Sequence, residues 1–138
     1  MAIYTSYYSN KENIDTKNNC YVSISVGTPK WDLPYELYHC KVLKPFSIFG
    51  KYDNMVDYER EYRKYLDDVG VERILREFNA IKQASGKKNL VLLCYEKDKT
   101  ECHRYTFAKW WFENTGEVVR EIETNVKKEK IFIQESFL

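Results

Sequence analysis

The sequence predicts a single α/β domain, a three-layer sandwich around a mainly parallel, Rossmann-like sheet, and three observations carry that expectation. β-prone segments alternate with helical periodicities along the chain, the pattern produced when crossover helices connect parallel strands. The run Leu90-Val91-Leu92-Leu93 is apolar at every position, which suits a strand covered on both faces. A helical periodicity then opens at Cys102-His103-Arg104 and stops at Gly116, so a buried strand feeds a helix through a short polar loop.

The elements follow in order. Ile3-Tyr4-Thr5 is a β-prone segment, and the Ser and Asn residues between Tyr7 and Asn13 favour a turn after it. Tyr21 to Val26 alternates, with Val22, Ile24 and Val26 on one face, until Gly27-Thr28-Pro29 breaks the strand. Between Pro34 and Pro45, Tyr35 to Leu43 is a further strand with Leu37, His39 and Lys41 on one side and Tyr38, Cys40 and Val42 on the other. Asp53-Asn54 offers an N-cap for a helix carrying Tyr58, Tyr62, Tyr65 and Leu66 at helical spacing. Gly70 punctuates the pattern, and Ile74, Leu75, Phe78 and Ile81 continue it to Ser85-Gly86, giving two helices or one bent helix. Beyond the helix from Cys102 to Thr115, Val118 to Ile122 reads as a returning strand and Ile131-Phe132-Ile133 as an edge strand or packed tail. There is no repeat, low-complexity tract or linker composition, so residues 1–138 are taken as one domain. If the strands are parallel, loops 5–13, 27–34 and 94–103 share one edge of the sheet.

Composition excludes several function classes. The 22 Lys and Arg balance 21 Asp and Glu, so the field that would draw in nucleic acid or an anionic membrane is missing. Lys127, Lys128 and Lys130 are interrupted by Glu129 and read as a solvated face. No stretch approaches the roughly 20 apolar residues of a membrane span. Cys20, Cys40, Cys94 and Cys102 are accompanied by no secretory signal, which suggests a cytoplasmic protein with free thiols. The 12 Tyr, 7 Phe and 3 Trp supply large buried areas and polar tips able to line a pocket.

Open α/β sheets place ligands at the carboxyl ends of their strands, which directs attention to Cys94 through Arg104. Cys94 ends the buried strand beside a helix N-terminus and an Arg, a setting that favours thiolate, and it reads either as a nucleophile or as a small residue closing the strand. Arg104 lies in a first helical turn, where a cation is disfavoured by a few tenths of a kcal/mol. It is therefore an anion receptor or a structural partner of Glu96, Glu101 or an N-terminal-loop carboxylate. His103 either moves a proton or orders the loop through a backbone carbonyl, and Glu96 orients a neighbour, acts as base or is solvated. Zinc is not expected, because adjacent Cys102 and His103 on a helix diverge by about 100° and no C-x-x-C pair accompanies them. Nine residues separate Cys94 from Arg104, unlike the five of a phosphatase or sulfurtransferase loop, and Walker and dinucleotide glycine motifs are absent.

The run Leu92-Leu93-Cys94-Tyr95-Glu96-Lys97-Asp98, followed by Glu101-Cys102-His103-Arg104, resembles the signature of the domain-of-unknown-function family DUF488. Ile3-Tyr4-Thr5 with Ser9-Asn10, and Ser25-Val26-Gly27-Thr28-Pro29-Lys30-Trp31, are similar to other parts of that family. Its usual Asp-Val-Arg after the second strand is replaced here by Ser23-Ile24-Ser25-Val26-Gly27. The resemblance implies a compact α/β fold and a site built from Cys94, Glu96, Cys102, His103 and Arg104, and it implies no reaction.

These readings combine into an expectation of a protein that binds an anionic small molecule or nucleotide at the Cys94–Arg104 loop, with Thr5, Tyr7 and Ser9 on the opposite wall. Cys94, Glu96 and His103 are the catalytic candidates; Thr5, Tyr7, Ser9, Cys102 and Arg104 are the ligand-binding ones. No metal is expected and no cofactor is assigned. The competing expectation is a non-enzymatic interaction protein in which the cluster is structural and a protein partner meets the aromatic surface of Trp31, Phe46, Phe49 and Tyr52.

Overall fold

The computed structural model describes residues 1–124. Five strands, β1 (Ile3–Tyr7), β2 (Asn19–Ser23), β3 (Leu37–His39), β4 (Asn89–Cys94) and β5 (Arg120–Glu121), form one sheet in the order β3-β2-β4-β1-β5. Every pairing is parallel. Three helices, α1 (Met55–Val69), α2 (Val71–Ser85) and α3 (His103–Thr115), complete the α/β architecture. The all-apolar run forms the centre of β4, flanked by β1 and β2, and its Leu90 to Cys94 are buried. Register aligns the strand ends: Tyr7 lies opposite Cys94, and Ser23 opposite Leu93.

The two faces of the sheet are covered differently. Ile3, Val22, Ile24, Leu90 and Leu92 pack on one side with Tyr62 and Leu66 of α1, Ile74 and Phe78 of α2, and Phe107 and Trp111 of α3. On the other side Tyr8, Tyr21, Val91 and Leu93 are covered by Ile14, Leu33 and Tyr35 from connecting loops, together with Tyr4, Leu37 and Ile122. All three helices thus join one core, and the second outer layer consists largely of loop residues. Tyr21 and Tyr35 stack there with ring centroids 4.0 Å apart.

Element ends follow local chemistry. Asn54 caps α1 by accepting the Asp57 N–H at 2.9 Å. Gly70, at φ 84° and ψ 154°, separates α1 from α2, so the helical pattern is two helices rather than one bent one. Only a residue without Cβ takes that conformation at little cost. Gly86 and Gly116 close α2 and α3. Leu75, expected on the apolar stripe of α2, is exposed.

The third strand is shorter than its sequence predicts. After His39 the chain turns through a 3-10 segment, Lys41–Leu43, because the backbone there serves α1: Tyr62 donates its hydroxyl to the Leu43 carbonyl at 2.6 Å and Tyr65 to that of Val42 at 2.8 Å. The segment at Ile131–Ile133 and the lysines Lys127, Lys128 and Lys130 lie outside the described residues. Among the described residues no helix is long and apolar enough to cross a membrane.

Candidate functional site

The carboxyl ends of β1, β2 and β4 are neighbours, and the loops leaving them meet. Tyr8 after β1 packs edge-on to Tyr95 after β4, with centroids 4.9 Å apart, and Trp31 from the β2–β3 loop reaches the same Tyr95 at 6.3 Å. The expected convergence of loops 5–13, 27–34 and 94–103 is therefore present. Beneath it Tyr8 shares its hydroxyl with Ser23 and Ser25, both at 2.7 Å. Burial pushes the Tyr8 phenol up to about 12, although bonds to the two serines oppose the rise. From Cys94 the chain passes through a 3-10 turn, Lys99–Glu101, in which the Asp98 carboxylate accepts the Thr100 N–H, and enters α3.

Cys102 is the N-cap of α3, with extended φ −139° and ψ 147°, and stands outside the helix. The divergence expected of neighbours inside a helix does not apply to it. Its sulfur and that of Cys94 both lie 3.8 Å from His103 Nδ1, and Cys94 Sγ is 3.5 Å from Nε2. His103 Nε2 is 2.6 Å from the Ile24 carbonyl. A carbonyl only accepts, so Nε2 carries a proton. The ring packs edge-to-face on Tyr62 at 5.2 Å, with Tyr58 6.4 Å away. The cluster is buried throughout.

The two thiols differ. Burial raises the Cys94 pKa well above its ordinary value, and the hydrogen bond and charge of Cys102 raise it further. Burial also acts upward on Cys102, but hydrogen bonds from Cys94 and His103, with the charges of His103 and Arg104, more than offset it and hold that thiol well below its ordinary value. Cys102 is thus the sulfur favoured as thiolate, with Cys94 as its protonated donor.

Arg104 is fully buried, and its partner is Glu121 of β5, not Glu96, Glu101 or an N-terminal-loop carboxylate. Nε bonds Glu121 Oε1 at 3.0 Å and Nη2 bonds Oε2 at 2.9 Å, with both side chains at 0% exposure. Nη2 also donates to the Lys97 carbonyl at 3.2 Å. Thr5 completes the carboxylate shell by donating to Glu121 Oε1 at 2.6 Å, and the Tyr7 ring lies 5.8 Å from the guanidinium carbon. Burial would lower the Arg104 pKa, but the bonds and charge of Glu121 hold it above its ordinary value. Nη1 is buried without a hydrogen-bond partner among the described residues.

The structure therefore gathers Thr5, Tyr7, Cys94, Cys102, His103 and Arg104, and leaves Glu96 and Ser9 exposed. Glu121, Tyr8, Ser23, Ser25 and the Ile24 carbonyl escaped the sequence reading. Glu121 did leave a signal: it follows Val119 at the two-residue spacing of a strand, an acid at an inward position.

The family model described as Domain of unknown function DUF488 matches residues 23–111. The match takes in Cys94, Cys102, His103 and Arg104 but neither Thr5 nor Glu121. No curated protein and no solved structure matches the chain.

Proposed function

The chain belongs to the DUF488 family, and from that premise we propose that it binds an anionic small molecule of the phosphate or nucleotide class at the carboxyl edge of the sheet. The observation that carries this reading is the Arg104 guanidinium: charged, fully buried, with Nη1 lacking a partner among the described residues. An unmet buried donor costs about 1–3 kcal/mol, and an oxyanion would meet it with a charge-assisted bond. Half-exposed Trp31 and Tyr95 at the same edge offer ring faces to a nucleobase. If the site is catalytic, the Cys94 and Cys102 thiols are the nucleophile candidates and His103 the group that moves a proton, while Glu96 stands at the solvent side of the loop.

A second reading, favoured by the bidentate pair with Glu121, makes Arg104 structural and leaves function to a protein partner. Thermal shift separates the two, since a ligand raises apparent stability by mass action. Phosphate, sulfate and nucleotides should raise the Tm of wild type, and Arg104→Lys, which keeps the charge but loses Nη1, should abolish the rise. No shift in wild type, or an equal shift in a folded Arg104→Lys, would discard the proposed site.

A further inference from the structure

We propose that Cys94 and Cys102 form a dithiol redox centre for peroxide, in which the Cys102 sulfur attacks the oxidant and the Cys94 sulfur resolves it as a disulfide. This goes beyond the anion reading and does not rest on it.

The two thiols come from opposite ends of one loop. Cys94 closes β4 and Cys102 caps α3, and their sulfurs lie within 4.8 Å of each other, both as free thiols. A disulfide holds its sulfurs about 2.05 Å apart, so closure takes an approach of at most about 3 Å. Rotation of the Cys102 side chain contributes to that approach, because its sulfur makes no capping bond to the α3 backbone and the residue stands outside the helix. Cys20 and Cys40 are buried elsewhere and do not belong to this cluster.

The surroundings divide the roles. Thiolate is the form that attacks peroxide, and a sulfur that does so reversibly needs a second thiol beside it. At Cys102 burial opposes the thiolate, but the bonds from Cys94 and His103 and the charges of His103 and Arg104 outweigh it. Cys102 is also the less buried of the two, at 7% exposure against 1% for Cys94. It directly follows exposed Thr100 and Glu101, so an oxidant little larger than water arriving from the loop side reaches it before Cys94. Burial raises the Cys20 thiol and pushes that of Cys40 up to about 12, which keeps the other two thiols protonated and slow to react.

The chemistry balances with hydrogen peroxide as the oxidant. The Cys102 thiolate bonds one peroxide oxygen, the O–O bond breaks, and hydroxide leaves and takes a proton from solvent. The sulfur, oxidised by two electrons, is now a sulfenic acid. The Cys94 sulfur then bonds the Cys102 sulfur, the S–O bond breaks, and hydroxide leaves with the Cys94 proton as water. Counted from two thiols, one peroxide gives one disulfide and two waters. A dithiol reductant reverses the change by exchange and becomes a disulfide itself.

The test is treatment of the reduced whole chain with hydrogen peroxide under native conditions, with thiols counted and peptides mapped without reduction. The four thiols should fall by one pair, the digest should join Cys94 to Cys102, and dithiothreitol should restore the full count. A 1,3-diketone present during oxidation of wild type should label Cys102 as the first sulfur oxidised, a readout that needs no variant to fold. Cys94→Ser should stop at the trapped Cys102 sulfenic acid, Cys102→Ser should slow thiol loss to the rate of Cys20 and Cys40, and Cys20→Ser should leave the disulfide intact. A folded wild type that keeps all its thiols, a disulfide between other cysteines or between chains, diketone on Cys94 instead of Cys102, or a Cys102→Ser variant oxidised as fast as wild type would overturn the assignment.

Discussion

Arg104 is a cation in a helical first turn, a placement the helix dipole disfavours, and its only charge partner among the described ion pairs is Glu121 of the two-residue strand β5. Pairs buried this completely are costly to break from one side, because the remaining charge has no solvent. Glu121→Ala should therefore cost about 3–5 kcal/mol in denaturant unfolding, and Arg104→Met with Glu121→Leu should recover most of that loss. A single substitution as mild as the double one would show that the pair does not tie β5 to α3. The sequence marked Arg104 as needing a partner but looked for it nearby, at Glu96 and Glu101. Both are exposed; the partner's identity depends on strand order, which places β5 beside β1 so that Thr5 and Arg104 meet the same carboxylate. The same holds for His103, whose carbonyl partner Ile24 is far away in sequence and near only because β2 adjoins β4.

At the scale of elements, caps were easy to read and faces were harder. Asn54, Gly86 and Gly116 end helices where the sequence places them, because a cap is local chemistry between residues a few positions apart. Gly70 is read as punctuation on the same ground, and its conformation makes the reading testable. No atom lies within 4 Å of where its Cβ would be, so Gly70→Ala should act through backbone strain alone, at about 1–3 kcal/mol. Urea titration with helicity as the probe measures this; an unchanged midpoint would mean that α1 and α2 can merge without loss. Strand length was less legible. β3 stops at His39 because the following carbonyls are used by tyrosines of α1, a tertiary demand that alternation between Tyr35 and Leu43 does not reveal. The layer covering Val91 and Leu93 likewise comes from loop residues such as Ile14 and Leu33, which have no periodicity to detect.

For the whole molecule, the abundance of tyrosine becomes a dependence on pH. Burial is the largest influence raising the phenols of Tyr8, Tyr35, Tyr58 and Tyr62. Above the ordinary phenol value of about 10 the unfolded chain has released these protons while the folded chain retains them. The unfolded state then binds fewer protons, so stability falls as pH rises past that value and is unaffected by these groups below it. Denaturant midpoints should drop on the alkaline side, with phenolate absorbance appearing together with unfolding; four freely titrating phenols in the native protein would contradict this. The strand order has a further consequence, for a chain that emerges from the ribosome in sequence. β1 and β2 are made first but do not pair with each other: β1 adjoins β4 and β5, while β2 adjoins β3 and β4. Ile3 must wait for Leu90 to be synthesised, so the nascent chain carries open strand edges through most of its translation. In that interval only the helices and the β2–β3 pair have their partners, and the sheet as a whole is joined late, when β4 enters between β1 and β2.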